Sequence, residues 1–502
     1  MRILLITIFL ASSCQFLFAQ NIEIPATFHT LDNELKVILV PDSNVAEVSC
    51  RLYYFVGGMN EGPGTTGLSH MYEHMMFKGT KTLGTTNYEK EIPYLARIDS
   101  LDALMQQARL GGENDSVLQL FRAEIFEQLE KQRKYIKKDE IWELYRTHGG
   151  TGLNAWTSNE MTAYIVTLPK NKVELFYWIE SDRMKNPVLR EFHSELEVVI
   201  EERKMRYDNN PTNLYWERLN SLFFVAHPYR QPVIGWESDI RAYSPQKLMR
   251  YINQYYTPEN ALLVLVGNID PQKAIDDIER YFGAIPPSQY PQVPVVTREP
   301  NPIGDTRFTV RSDAEPRIDM LFHTPGYPHS DLLALDIVEG MLSGRSGRLY
   351  KRLVEQEGLA TNAGAFNSKR LHNGYFMVWA QLKKDSDPEL VEKIMIEEIE
   401  AATEGEPTPN EMLRITNEIR YSFTQGLKSL EGLSDRLARF QRLGSWEDLL
   451  DYPEKIAQVG AHNVPLIASL HLIPEAATIG RLLPPLSKQA KAVEIYQDDQ
   501  DR

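Results

Sequence analysis

Four stretches of the 502-residue chain carry the two-residue period of a strand. They are Val48–Val56 and Ala261–Val266 early on, and Arg317–Thr324 and Tyr375–Gln381 late. Longer amphipathic segments lie between them, with apolar residues at three- and four-residue spacing. Strands and helices mixed in this way predict an α+β fold. A chain of this length is too large for one core. The proline-rich run from Ile285 to Pro302 marks a division: a first half over 21–288, a linker over 289–306, a second half over 307–490 and a polar tail over 491–502. Lys90–Tyr145 is rich in Leu, Glu, Gln, Lys and Arg at helical spacing and breaks at Gly111-Gly112-Glu113-Asn114-Asp115, which predicts a helical hairpin.

The first twenty residues read as an export signal. Met1-Arg2 is a basic start, Ile3–Ala11 an apolar core and Leu17-Phe18-Ala19 a small-residue exit. The apolar run is too short to span a membrane, and no later segment is long and apolar enough. A periplasmic location is expected. Lipid anchoring through Cys14 is the alternative, although Ala11-Ser12-Ser13 lacks the usual leucine. After cleavage Cys50 stands alone, so no internal disulfide forms. A net charge of −15 without a basic stripe argues against nucleic acid and anionic membranes as partners.

Candidate chemistry is concentrated in Gly67-Leu68-Ser69-His70-Met71-Tyr72-Glu73-His74-Met75. On a helix, residues i and i+4 share a face, so His70 and His74 can hold one metal ion with Glu73 beside them. Two imidazoles and a carboxylate are what a zinc hydrolase needs, and H-x-x-E-H is the inverzincin signature. Thr66 is the expected N-cap, and Lys78 and Gly79 close the helix. With only Cys14 and Cys50 in the chain, a thiolate-rich site is excluded. In Glu195–Glu202, helical geometry puts Glu195, Val198, Val199 and Glu202 on one face, while Glu197 and Glu201 point to solvent. By periodicity alone, Glu195 and Glu202 are equally well read as inward carboxylates awaiting a cation or as surface charges.

Together with Gly152-Leu153-Asn154-Ala155-Trp156-Thr157-Ser158, His227-Pro228-Tyr229, Tyr255–Asn260, Val264–Asn268 and Ser346–Tyr350, these motifs resemble the pitrilysin/insulinase family of zinc metallopeptidases, over roughly residues 25–485. The resemblance implies one zinc ion per chain held by His70, His74 and Glu202. It also implies Glu73 as general base, Glu195 as a supporting carboxylate, and Asn154 and Ala155 on an edge strand that pairs with an extended peptide. It implies two homologous domains, each a sheet packed by helices, the second a degenerate copy. Leu332–Leu342 stands in the place of the zinc helix without a histidine, while Glu411 and Glu418 keep the seven-residue spacing.

Two features depart from the family pattern. Lys90–Tyr145 lengthens the connection between His74 and Glu202, so the predicted hairpin is an insertion. Val354 and Thr361 occupy positions where active relatives often carry an Arg and a Tyr that grip substrate. The resemblance therefore implies a heterodimer whose partner supplies the grip, with a homodimer as the alternative. Two rival functions remain at this level. A non-catalytic scaffold subunit predicts an eroded zinc motif, and a ribosylhomocysteine lyase predicts a small single-domain chain with a cysteine ligand.

Overall fold

Ala261–Gly267 (β6) is buried at all seven positions, the signature of a strand covered on both faces. In this computed structural model, which describes residues 24–485, it lies inside a six-stranded sheet. The expected signal over 1–20, Cys14 and the tail over 491–502 lie outside the described residues. The other strands of the sheet are β1 (Thr27–Thr30), β2 (Lys36–Pro41), β3 (Glu47–Tyr54), β4 (Thr151–Thr157) and β5 (Thr162–Pro169), in the order β1-β2-β6-β3-β5-β4. Between β3 and β4 come α1 (Leu68–Met75), α2 (Tyr88–Leu110), α3 (Asp115–Gln132) and α4 (Glu140–Thr147). After β5 come α5 (Val173–Lys185), α6 (Phe192–Arg203), α7 (Pro211–Phe223), the short α8 (Glu237–Ile240) and α9 (Pro245–Tyr255), and α10 (Pro271–Phe282) follows β6.

Residues 283–305 contain no helix or strand. The second half begins with β7 (Thr306–Arg311), β8 (Arg317–Thr324), α11 (Asp331–Leu342) and the short α12 (Arg348–Tyr350). Next come β9 (Ala360–Ser368) and β10 (Gly374–Leu382), then α13 (Pro388–Glu404), α14 (Pro409–Gly426), α15 (Leu430–Leu443), α16 (Asp448–Ala457), α17 (Asn463–His471) and β11 (Thr478–Leu483). Its sheet runs β7-β11-β8-β10-β9. Apart from β1 the two sheets are wired alike. β2 and β6 pair in parallel, as do β7 and β11, and every other neighbouring pair is antiparallel. The two expected α+β halves are therefore present as a structural repeat, in which α11 takes the place of α1.

Each half lends a helix to the other. Along β2, Val37 and Leu39 face the helices of their own half, while Ile38 and Val40 face the opposite side. That second face, with Leu262, Val264 and Val266, is covered by Leu437 and Ala438 of α15. In exchange, Tyr215, Leu219 and Phe223 of α7 pack on Leu321 and Leu482 of the second sheet. The exchange is pinned by two Tyr–Asp hydrogen bonds of opposite sense. Tyr53 of the first sheet donates to Asp435 of α15 (2.6 Å), and Tyr215 of α7 donates to Asp319 of the second sheet (2.7 Å). Burying a large apolar side chain is worth about 1.5–3 kcal/mol, so each crossing helix contributes to the stability of the half it visits.

The predicted hairpin is formed by α2 and α3, closed by Ile98, Leu101, Met105, Leu118, Ile125 and Leu129. It is shorter than the 90–145 expected. Ile141 and Tyr145 of α4 are buried in the main core, so α4 belongs to the body of the first half. The hairpin is anchored by a fully buried ion pair between Glu91 of α2 and Arg190 (2.7 Å), and Gln132 donates to the same Glu91 oxygen. Arg190 also donates to the carbonyls of Lys78 and Leu83, just beyond α1.

Candidate metal centre

Helix α1 buries Leu68, Met71, Tyr72 and Met75 in the core, which turns His70, Glu73 and His74 toward α6. Its first turn is not capped by Thr66. The Glu61 carboxylate takes that role, accepting from the N–H groups of Gly67 (2.5 Å) and Ser69 (2.7 Å). Thr66 instead donates to Asp239 and accepts from the Trp236 N–H. Gly67 begins the helix at φ +91°, and a Cβ there would lie 2.4 Å from the Ile234 carbonyl oxygen, so both conformation and space require glycine.

Helix α6 buries Val199 and Ile200 and points Glu195 and Glu202 at α1. Val198, which periodicity places on the same face, is 49% exposed and lines a cavity beside the site. Glu197 and Glu201 are exposed, as expected.

One ligand atom each from His70, His74 and Glu202 lies within 4.8 Å of the others, and among the described residues no other group of three His, Cys, Asp or Glu does so. His74 Nε2 is 3.1 Å from the Glu202 carboxylate, and His70 Nε2 is 3.8 Å from it. His74 Nδ1 is 2.8 Å from Glu195, and the other Glu195 oxygen is 2.5 Å from Lys78 Nζ. A proton on His74 Nδ1, donated to Glu195, leaves Nε2 free as a ligand atom. Arg206 pairs with the second oxygen of Glu202 (2.9 Å). Glu73, one residue before His74, accepts from the Thr157 hydroxyl at 2.6 Å.

The electrostatics call for a cation. Burial and the neighbouring His74 lower His70 to about 4. Burial alone would lower His74 too, but its hydrogen bonds to Glu195 and Glu202 prevail and raise it to about 9. The two carboxylates thus favour positive charge at His74, while Lys78 and Arg206 pair with their other oxygens. Two imidazole nitrogens, a carboxylate oxygen and this demand for charge fit zinc. Glu73 is raised above the usual carboxylate range, chiefly by burial, with the Thr157 hydrogen bond opposing.

Asn154 and Ala155 lie on β4, the edge strand of the sheet, and with Glu73 and His74 they line a cavity of about 450 Å³. The residues singled out from sequence therefore converge on one place. Three contributors were not singled out. Lys78, which the sequence pattern places only at the helix end, lies four residues beyond His74 and reaches Glu195. Thr157 was passed over within the quoted β4 motif, and Glu61 carries no local signal at all.

The second half has a counterpart without this chemistry. On α11, Asp336, Glu339 and Gly340 repeat the spacing of His70, Glu73 and His74, and with Glu418 of α14 they line a cavity of about 380 Å³. Asp336 is paired with Lys369 (2.6 Å), Glu418 with Arg414 (2.7 Å) and Glu411 with Arg348 (3.1 Å).

The profile of the family described as Insulinase (Peptidase family M16) matches residues 36–97, and that of the Peptidase M16 inactive domain matches residues 242–419. The zinc protease PqqE of Helicobacter pylori is 24% identical over 447 residues, 88% of each chain. The crystal structure of a protease from Helicobacter pylori superposes with a TM-score of 0.77 at 23% identity, covering 92% of this chain and all of that one. The first half of the periplasmic protease PqqL from Escherichia coli gives a TM-score of 0.68 at 15% identity, covering 92% of both chains. Against whole PqqL the match covers 48% of that chain. At these identities the structural likeness establishes the two-domain fold.

Proposed function

The chain belongs to the insulinase (M16, pitrilysin) peptidase family, and on that premise we propose that it is an exported zinc metalloendopeptidase that hydrolyses peptides or unfolded polypeptides. One observation carries this reading: one ligand atom each from His70, His74 and Glu202 lies within 4.8 Å of the others, with Glu73 one residue before His74. Bound there, one zinc ion supplies Lewis acidity, acidifying water and polarising the scissile carbonyl.

The chain's own groups do the rest. Glu73, with one oxygen held by Thr157 and its basicity raised by burial, takes a proton from the attacking water and delivers it to the departing amine nitrogen. Glu195 fixes the tautomer and orientation of His74, and Lys78 keeps Glu195 ionised. The free edge of β4 at Asn154 and Ala155 pairs with an extended substrate backbone, which binds peptides with little demand on sequence. Export is supported by the signal pattern over 1–20 and by the description of PqqL as periplasmic. Among the described residues no helix is long and apolar enough to cross a membrane.

Purified protein should hold one zinc per chain and cleave unfolded peptides. A chelator should abolish cleavage, and added zinc should restore it. A chain with neither stoichiometric zinc nor cleavage would instead be a scaffold subunit.

A paired assembly belongs to the same proposal. Val354 is half-buried against the second core, and Thr361 is exposed at the start of β9, so neither can grip a peptide backbone as an Arg and a Tyr would. PqqL is about twice the length of its match to this chain, which supports a working unit of two such halves. We favour a heterodimer whose partner carries the missing pair. Isolation of a fully active homodimer would replace that arrangement.

A further inference from the structure

Thr157, whose hydroxyl holds the Glu73 carboxylate, is the last residue of β4, and the turn after it reaches the seam between the two halves. That turn is firmly built. The Ser158 carbonyl accepts from the Gly58 N–H (3.1 Å) and the Asn159 carbonyl from that of Met59 (2.9 Å). The Ser158 hydroxyl oxygen accepts from the N–H groups of Glu160 (3.2 Å) and Met161 (3.1 Å).

Glu160 ties this turn to the second half. Its Oε1 accepts from the Leu371 N–H, in the connection between β9 and β10 (2.8 Å), and from the Tyr229 hydroxyl. The neighbours of Leu371 grip the same tyrosine. The Arg370 guanidinium lies over the Tyr229 ring, 4.8 Å from its centroid, and over the rings of Phe224 and Tyr375. His372 donates its N–H to the Tyr229 hydroxyl oxygen (3.4 Å). Three consecutive residues of the second half are therefore fixed on one carboxylate and its tyrosine.

Side chains alternate along a strand, so Trp156 faces away from Glu73 while Thr157 faces it. Trp156 packs edge-on against Tyr53, with ring centroids 6.2 Å apart, and joins Met161 in the cluster that contains Leu437 and Ala438 of α15. The end of β4 is thus propped by the second half in two ways, by α15 beneath it and by the β9–β10 connection beyond it.

We propose that the second half positions the general base, with Glu160 as the positioning residue: tied to Leu371 and Tyr229, it fixes the turn, the turn fixes Thr157, and Thr157 fixes Glu73. A carboxylate that moves a proton must be held within hydrogen-bond reach of it, and small displacements are costly in rate. Trp156 stands between Thr157 and the Asn154–Ala155 edge and is held separately by α15, so loss of Glu160 loosens Thr157 more than that edge. The effect should fall on kcat rather than on KM. The inference rests on the peptidase reading above and gives the histidine-free half a part in the reaction.

The test uses the zinc-loaded full chain and a quenched-fluorescent peptide that the wild type cleaves. Glu160→Ala should lower kcat about tenfold, with KM and zinc content unchanged. Glu160→Gln keeps a carbonyl oxygen for both donors and should recover most of the loss. A double-mutant cycle separates positioning from general destabilisation. Thr157→Val should itself lower kcat, and Glu160→Ala added to it should cost little more. Crystal structures should show the Thr157–Glu73 hydrogen bond in the wild type and its loss in Glu160→Ala. Should Glu160→Ala not fold, Tyr229→Phe, which removes one of the two donors, takes its place in the cycle with a loss of about threefold. Additive losses in the cycle overturn the inference, as does a Glu160→Ala variant that retains full kcat or the Thr157–Glu73 hydrogen bond. A wild type that holds no zinc and cleaves nothing overturns the peptidase reading and this inference with it.

Discussion

In the first half, α1 and α6 gather His70, His74, Glu195 and Glu202, and each carboxylate gives one oxygen to histidine and the other to Lys78 or Arg206. In the second half, α11 and α14 hold Asp336, Glu339, Glu411 and Glu418 at matching spacings without a histidine, and Asp336, Glu411 and Glu418 pair with Lys369, Arg348 and Arg414. The second cavity is also closed where His74 has its counterpart. A Cβ on Gly340 would lie 2.4 Å from the Ile415 side chain, which would have to shift to admit a larger residue. Both halves need these helices to cover a sheet. A site for metal chemistry requires in addition the two imidazoles of His70 and His74, which the second half lacks on α11 and α14.

The comparison can be broken or sharpened in four ways. The largest effect is expected from Glu73→Gln, which should cut turnover by about 10²–10⁴-fold while zinc stays bound. The matched Glu339→Gln should leave peptide hydrolysis unchanged, and equal losses in both would erase the distinction. Lys369→Met leaves the buried Asp336 without its cation and should cost about 3–5 kcal/mol in urea unfolding. Lys78→Met should instead register at the metal, lowering zinc affinity about 10–100-fold in a competitive chelator titration by loosening Glu195 and His74.

The smallest effect concerns pH. Burial raises Glu339 to about 7, so the native state keeps its proton where the unfolded chain, near 4.5, has lost it. The stability this confers is complete below about pH 4.5 and disappears as pH rises through 7. Glu339→Gln should therefore match the wild type near pH 4.5 and exceed it by about 1–3 kcal/mol at pH 8. Identical unfolding curves at both pH values would contradict the assignment.

Local pattern made much of this visible. The i, i+4 histidines, the seven-residue glutamate spacing and the Gly111-Gly112 break each arise within one or two helical turns, so periodicity and turn chemistry expose them. Thr66 as a cap was misread because Glu61, reaching back from a loop, outcompetes it for the helix N–H groups. The exchange of α7 and α15 was hidden for a different reason. The apolar stripe of α15 shows that it must be buried, but nothing in the stripe says which sheet receives it. The place of α4 was hidden too, because Lys90–Tyr145 has one helical pattern throughout while Ile141 and Tyr145 at its end belong to the core.

The crossing helices also set an order of events in biosynthesis. The outer face of β2 and β6, with Ile38, Val40, Leu262 and Val264, has no cover until residues 430–443 have been made. For more than a hundred residues of synthesis beyond the linker, a completed first sheet presents bare aliphatic strand to its surroundings. Contacts this distant in sequence slow folding and lengthen exposure to aggregation. That face of the first sheet is completed only when α15 packs on it.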